Sequence, residues 1–160
     1  MRLTAVFILV VAVGLAIGWI VDSDSTDIAE VGGPAPDFTV ELIDGGTFTL
    51  SEVSGQPVVI NLWASWCPPC REEIPDISAF ATANPEVTVV GVSVEDPEKD
   101  AREFAETLEA SYPLALGTTE FEDAYPHIGL PATYILDENG TVTHIHNGIV
   151  DEEILADALG

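Results

Sequence analysis

Hydrophobic and polar positions divide the chain into two unlike parts. Residues 3–21, LTAVFILVVAVGLAIGWIV, carry no charge and show no polar stripe. As a helix this run spans roughly 28 Å, about the hydrocarbon thickness of a bilayer. Further on, the pattern turns globular. Residues 38–42 and 47–50 read as strands around an Asp44-Gly45-Gly46 turn, a hairpin signal. Residues 58–64, VVINLWA, are short, apolar and β-branched, which predicts a strand buried on both faces. A helix is expected over about 67–82, kinked at Pro75. Residues 87–94 predict a second buried strand. Asp96-Pro97 then opens a helix, with Asp96 as N-cap and Pro97 at the first helical position. Ala101, Phe104, Ala105 and Leu108 keep its helical spacing. A short strand at 114–116 and a short helix over 119–125 come next. Pro131 opens a strand over 132–137, a turn follows at 137–140, and 141–146 is the partner strand. Ile154, Leu155, Ala158 and Leu159 stripe a terminal helix. The order predicts an α/β domain, a mixed central sheet flanked by helices with an added N-terminal hairpin.

The organisation follows. Residues 1–21 read as a transmembrane signal anchor, 22–34 as an acidic tether rich in Asp, Ser, Gly and Pro, and 35–160 as the domain. Arg2 precedes the apolar run, and Asp22, Asp24 and Asp27 follow it. Positive-inside bias therefore puts residue 1 in the cytoplasm and the domain outside, with Trp19 as an interfacial anchor. A cleaved signal peptide would have a shorter apolar region ending in a small-x-small site. Both readings export the domain.

Charge narrows the partners. Lys and Arg number 4 against 28 Asp and Glu, a net charge of −24. Nucleic-acid binding is excluded on ordinary grounds, because phosphates need clustered Lys and Arg. Anionic lipid headgroups are disfavoured for the same reason. The acidity also fits a surface adapted to high salt, with Lys99 the single lysine. Two cysteines make neither a disulfide framework nor a four-cysteine zinc site.

The chemistry concentrates in Trp66-Cys67-Pro68-Pro69-Cys70, where a buried strand meets a helix. Side chains at i and i+3 of a helix lie roughly 5–6 Å apart at Cβ, near what a disulfide accepts. The pair therefore opens and closes with little backbone movement. Cys67, at the helix N-terminus, is favoured as thiolate and should attack first. Cys70, one turn inside and more shielded, should resolve the mixed disulfide. Pro68 and Pro69 remove two amides and stiffen the first turn. A purely structural bridge closing so small a loop gains little. A metal site would need two more ligands. His144 and His146 share one strand face and, with His127, are the histidines on offer; a solvated strand face is the simpler reading.

These residues resemble the thioredoxin superfamily, and within it the membrane-anchored TlpA/ResA-like extracytoplasmic thiol–disulfide oxidoreductases. Gly33-Pro34-Ala35-Pro36-Asp37-Phe38 is similar to the opening motif. The run from Asn61 to Pro75 is similar to the active-site strand and helix, and Gly129-Leu130-Pro131-Ala132-Thr133 to the segment with the cis-proline. The resemblance implies a thioredoxin-like fold with Pro131 facing the disulfide. It further implies that the Leu130 backbone pairs with an extended client strand, and that Trp66 shields Cys67. Glu73 matches a position where ResA-like members carry a functional glutamate. A partly buried carboxyl there would exchange a proton with Cys70 or raise the thiol pKa values. Thioredoxin itself has an aspartate six residues before the first cysteine; here Asn61 stands there, which shifts the proton load to Glu73 or water. The implied clients are cysteine pairs of exported proteins, apocytochrome c among them. The implied electron source is a CcdA- or DsbD-like membrane protein. No cofactor is implied, since the two sulfurs carry the electrons.

Three other readings are weighed against it. A peroxiredoxin shares the A-P-D-F opening but places threonine three residues before its peroxidatic cysteine, where Ala64 and Cys67 stand here. A Sco-like copper protein uses C-x-x-x-C, one residue longer. An oxidant of secreted proteins differs only in potential.

Overall fold

The computed structural model describes residues 28–160. The predicted anchor and residues 22–27 of the tether lie outside the described residues. Among the described residues no helix is long and apolar enough to cross a membrane.

Seven strands form one mixed sheet. In chain order they are β1 (Thr39–Leu42), β2 (Thr47–Thr49), β3 (Val58–Trp63), β4 (Thr88–Ser93), β5 (Leu114–Leu116), β6 (Ala132–Leu136) and β7 (Val142–Asn147). Among the described residues four α-helices accompany them, α1 (Pro68–Ala83), α2 (Glu98–Ala105), α3 (Thr119–Ala124) and α4 (Glu152–Leu159), with a 3-10 turn over Leu50–Val53. The sheet order is β2-β1-β5-β4-β3-β6-β7. β4 runs parallel to β3 and β5, and the remaining pairs are antiparallel. The expected N-terminal hairpin extends the sheet beyond β5. Its tight turn places Gly45 and Gly46 at φ +98° and +86°, where a side chain is strained.

β3 lies at the centre, and all six of its residues are buried, as its unbroken apolar run predicts. Its alternate side chains serve two faces. Val58, Ile60 and Leu62 join Phe38, Phe121 and Tyr125 in one core. Val59 joins Ile77 and Phe80 of α1 and Leu155 of α4 in the other. Trp63, on that second face, packs with both cysteines and with Ala101 and Ala105 of α2. The sheet thus offers Asn61 and Trp63 to the underside of α1.

Local differences from expectation have physical causes. α1 runs unbroken through Pro75, which leaves only the Arg71 carbonyl without its usual amide donor. α2 begins at Glu98 with Pro97 as N-cap, and no side chain caps it. Asp96, expected as that cap, turns its carboxylate to Ser65 instead. α2 ends at Ala105, so Leu108 lies beyond it. α3 is capped by Thr118, whose side chain accepts from the Phe121 amide. Within the segment read as tether, Ala29 is buried, its N–H reaches the Ala124 carbonyl at 2.8 Å, and Pro34 bridges Thr141. Packed structure therefore extends back to Ala29.

Candidate active site

The chain leaves β3, turns through Ala64-Ser65-Trp66 and starts α1 with Cys67 as N-cap in an extended conformation, φ −102°. Pro68 and Pro69 have no amide hydrogens, so the first free donor of α1 is the Cys70 N–H. It is shared between Cys67 Sγ and the Cys67 carbonyl, each 3.2 Å away. An N-cap acceptor is held there by a donor and by the positive end of the helix, which favours a sulfur anion. Cys67 and Cys70 are joined as a disulfide with Cα atoms 5.4 Å apart. Cys67 is 3% exposed and Cys70 0%, so both are covered in this oxidised state and Cys67 is the outer one by a small margin.

Glu73 lies one turn beyond Cys70 on the same face of α1. Expected to be partly buried, it is wholly buried. Asn61 Nδ2 donates to its Oε1 at 2.7 Å, and the Val150 backbone N–H donates to its Oε2 at 3.0 Å. The second Nδ2 hydrogen of Asn61 goes to Thr133 Oγ1 on β6, 3.2 Å away. Desolvation pushes the carboxyl up to about 7, and the two hydrogen bonds pull against that rise without cancelling it. Glu73 therefore changes charge near neutral pH, inside the protein. Tyr112, also buried, has its phenol pushed upward by burial and further by the Glu73 carboxylate.

The rim has three parts. Trp66 is half exposed and its indole N–H donates to the Glu95 carbonyl at 3.0 Å. Ser65 donates its N–H and its hydroxyl to the two Asp96 oxygens, at 2.5 and 2.7 Å. The Leu130–Pro131 peptide is cis, and the Pro131 carbonyl accepts from the Gly148 N–H at 2.9 Å. Leu130 packs against the cluster that contains both cysteines. Ile128, three residues before Pro131, is 91% exposed, so the loop presents an apolar tip. On the inner side Trp63 stacks on Phe104, and the Arg71 guanidinium lies 4.4 Å from the centre of that ring.

Among the described residues no group of three metal-capable side chains assembles. His144 is exposed, His146 Nε2 sits 3.2 Å from the Ile149 carbonyl, and His127 faces Glu95. His144 and His146 line one hollow beside α4, as their shared strand face predicts, and His127 lies apart from them. The residues expected to form the site (Trp66, Cys67, Pro68, Pro69, Cys70, Glu73, Leu130 and Pro131) fall on α1 and on the two loops at this end of the sheet. Sequence reading missed Ser65, Glu95, Asp96, Thr133 and the Val150 amide. Asp96 had a signal, but one that reads equally well as a helix cap. A backbone N–H such as Val150 leaves none.

A disulfide-bonded cysteine pair at the start of a helix, on a mixed sheet with a cis-proline loop, defines a thioredoxin-like thiol–disulfide oxidoreductase. The comparisons agree. A crystal structure of a thiol:disulfide interchange protein, thioredoxin family protein, from Chlorobium tepidum TLS superposes with a TM-score of 0.72 at 28% identity, covering 82% of this chain and 99% of that one. The thioredoxin-like protein YneN of Bacillus subtilis is 34% identical over 76% of this chain and 74% of its own length. The thiol-disulfide oxidoreductase ResA of Geobacillus kaustophilus is 30% identical over 96% of this chain and 89% of its own. Residues 31–145 match the AhpC/TSA family, and the chain belongs to that family. Its activity is that of the ResA- and DsbE-type thiol–disulfide oxidoreductases.

Proposed function

We propose that this chain is a membrane-tethered reductant of disulfides in exported proteins, with apocytochrome c a client and its domain on the outer face of the cell membrane. Cys67 acts as the thiolate nucleophile. It attacks one sulfur of a client disulfide, and the other client sulfur leaves and takes a proton. Cys70 then attacks Cys67 Sγ, which releases the client as a dithiol and leaves the Cys67–Cys70 disulfide. Two electrons have passed to the client, and a CcdA- or DsbD-type membrane protein returns them. Glu73 exchanges a proton with Cys70, Trp66 and Pro131 border the reacting sulfurs, and the Leu130 backbone pairs with the client strand.

The observation that carries this reading is the Cys67 N-cap, where the donor on its sulfur is the amide of its own redox partner. The uncharged run at residues 3–21 supports the tether, and the relative named thiol-disulfide oxidoreductase ResA supports disulfide exchange as the reaction. A peroxidase is the weaker reading, because Ala64 occupies the place of the needed threonine.

The test is an equilibrium titration of the Cys67–Cys70 couple against glutathione. A potential of roughly −270 mV or lower supports a reductant, and one near −120 mV makes the protein an oxidant. In parallel, Cys70→Ser should trap a mixed disulfide with a peptide bearing an oxidised C-x-x-C-H segment, and Cys67→Ser should not. Trapping by Cys67→Ser and not by Cys70→Ser would reverse the assigned order of attack, and equal trapping would remove it. Protease accessibility of the membrane-bound full chain in intact cells tests the side of the membrane.

A further inference from the structure

We propose that Asp96 is a positioning residue, holding the approach to Cys67 in the geometry that protein clients need. Both residues that precede Cys67 hang on one dipeptide. Ser65 gives its N–H and hydroxyl to the Asp96 carboxylate at 2.5 and 2.7 Å, and Trp66 gives its indole N–H to the Glu95 carbonyl at 3.0 Å. Asp96 does this at the expense of α2, whose N-cap, Pro97, has no side-chain bond. Glu95 adopts φ +52°, a left-handed conformation that a non-glycine residue rarely takes. It is pinned there from another side, since Glu122 Oε1 on α3 accepts from the Glu95 N–H at 2.8 Å. Glu95 Oε1 also lies 3.9 Å from His127 Nε2, at the start of the loop that leads to Pro131.

The Glu95–Asp96 dipeptide therefore joins the Cys67 approach, α3 and the cis-proline loop. Disulfide exchange requires attacking, central and leaving sulfurs to line up. A small, freely rotating disulfide finds that line by itself. An extended protein client is fixed by the rim on which it rests, so it depends on where the rim is held. The inference rests on the proposed attack by Cys67.

The experiment uses the reduced full chain and two oxidants, a peptide with an oxidised C-x-x-C segment and 2-hydroxyethyl disulfide. Asp96→Ala is expected to lower kcat/KM for the peptide about tenfold, and by several-fold more than for the small disulfide. Asp96→Asn, which keeps one acceptor for Ser65, recovers part of the loss. Ser65→Ala combined with Asp96→Ala is no worse than Asp96→Ala alone, because the one bond that Ser65→Ala removes, from the hydroxyl, is already lost with the Asp96 carboxylate. Equal losses with the two oxidants, or additive losses in the double variant, would overturn the proposal. Should Asp96→Ala fail to fold, Ser65→Ala, which loses the hydroxyl bond and keeps the N–H bond, is compared on the two oxidants instead, with a smaller loss expected for the peptide and none for the small disulfide. If the unaltered protein exchanges with neither oxidant, the reading of Cys67 falls first and the role of Asp96 falls with it.

Discussion

Asn61 on β3 donates to Glu73 on α1 across 2.7 Å, in a place neither shares with water. Sequence reading treats the two separately, Asn61 as a proton carrier lost and Glu73 as its replacement. In the structure they are one device. Asn61 uses both amide hydrogens, on Glu73 and on Thr133, while its Oδ1 has no partner. The arrangement shown suits an ionised Glu73, which accepts from Asn61 and Val150. A protonated Glu73 needs an acceptor, and Asn61 Oδ1 becomes one if the amide turns over. An aspartate at position 61 would face a second carboxylate; the amide serves both charge states of the first.

The thiol titration should carry the mark of Glu73. Its carboxyl loses a proton near pH 7, and the resulting negative charge disfavours a thiolate one helical turn away. In the reduced protein the Cys70 thiol should thus ionise at higher pH than with an uncharged residue at 73. Glu73→Gln should lower and sharpen the pH profile of cysteine alkylation. Superimposable profiles for the two proteins would remove Glu73 from the proton chemistry.

Stability should respond to the same group with a definite sign. The Glu73 pKa rises from about 4.5 unfolded to about 7 folded. Between those values the native state keeps a proton that the unfolded state releases, so the contribution is full below about 4.5 and is lost as pH climbs through about 7. The loss is on the order of 3 kcal/mol. Urea unfolding at pH 5 and pH 8 should show that Glu73→Gln gains stability relative to the parent as pH rises. A constant difference would mean that the carboxyl is already ionised at pH 5.

Much of this was legible in the chain because it depends on local pattern. The buried strands announce themselves as apolar β-branched runs, the turns as glycine pairs, and the cysteine pair by its spacing. What escaped was the set of contacts that cross the sequence. Asp96 before a proline looks like a cap; only the packed fold shows Ser65 within reach and Pro97 left uncapped. Helical spacing from Cys70 puts Glu73, and not its exposed neighbour Glu72, on the inner face of α1, but its complete burial under the Val150 amide comes from a segment 77 residues away. Pro75 stands inside a 16-residue helix without ending it, because one missing amide does not outweigh the packing of Ile74, Ile77 and Phe80.

Asn61→Ala tests the pairing from the other side. It removes one of the two donors to Glu73 and leaves Thr133 without the Asn61 amide. We expect a cost of about 2 kcal/mol, larger at pH 8 than at pH 5, because the lost bond serves the ionised carboxylate. The Glu73 pKa should move further up, readable as a carboxyl resonance titrating at higher pH in an NMR series. An unmoved titration would show that desolvation and the Val150 amide set it without Asn61.

Gly91 on β4 tests how tightly the inner wall of the site is packed. It sits opposite Asn61 in the β3–β4 ladder. A Cβ there would lie 2.7 Å from Leu114 Cδ2, 3.2 Å from Trp63 Nε1 and 3.2 Å from Tyr112 Cε2. Leu114 can turn aside, but the two aromatic rings have no such freedom. Trp63 is fully buried on Phe104 and is packed with both cysteines. Gly91→Ala should cost about 1–3 kcal/mol through overpacking, read as a lower Tm. Because the push falls on Trp63, the buried indole fluorescence of the oxidised protein should also change. A loss of stability with no change in that signal would mean that Leu114 and Tyr112 absorb the displacement, leaving the floor beneath the disulfide undisturbed.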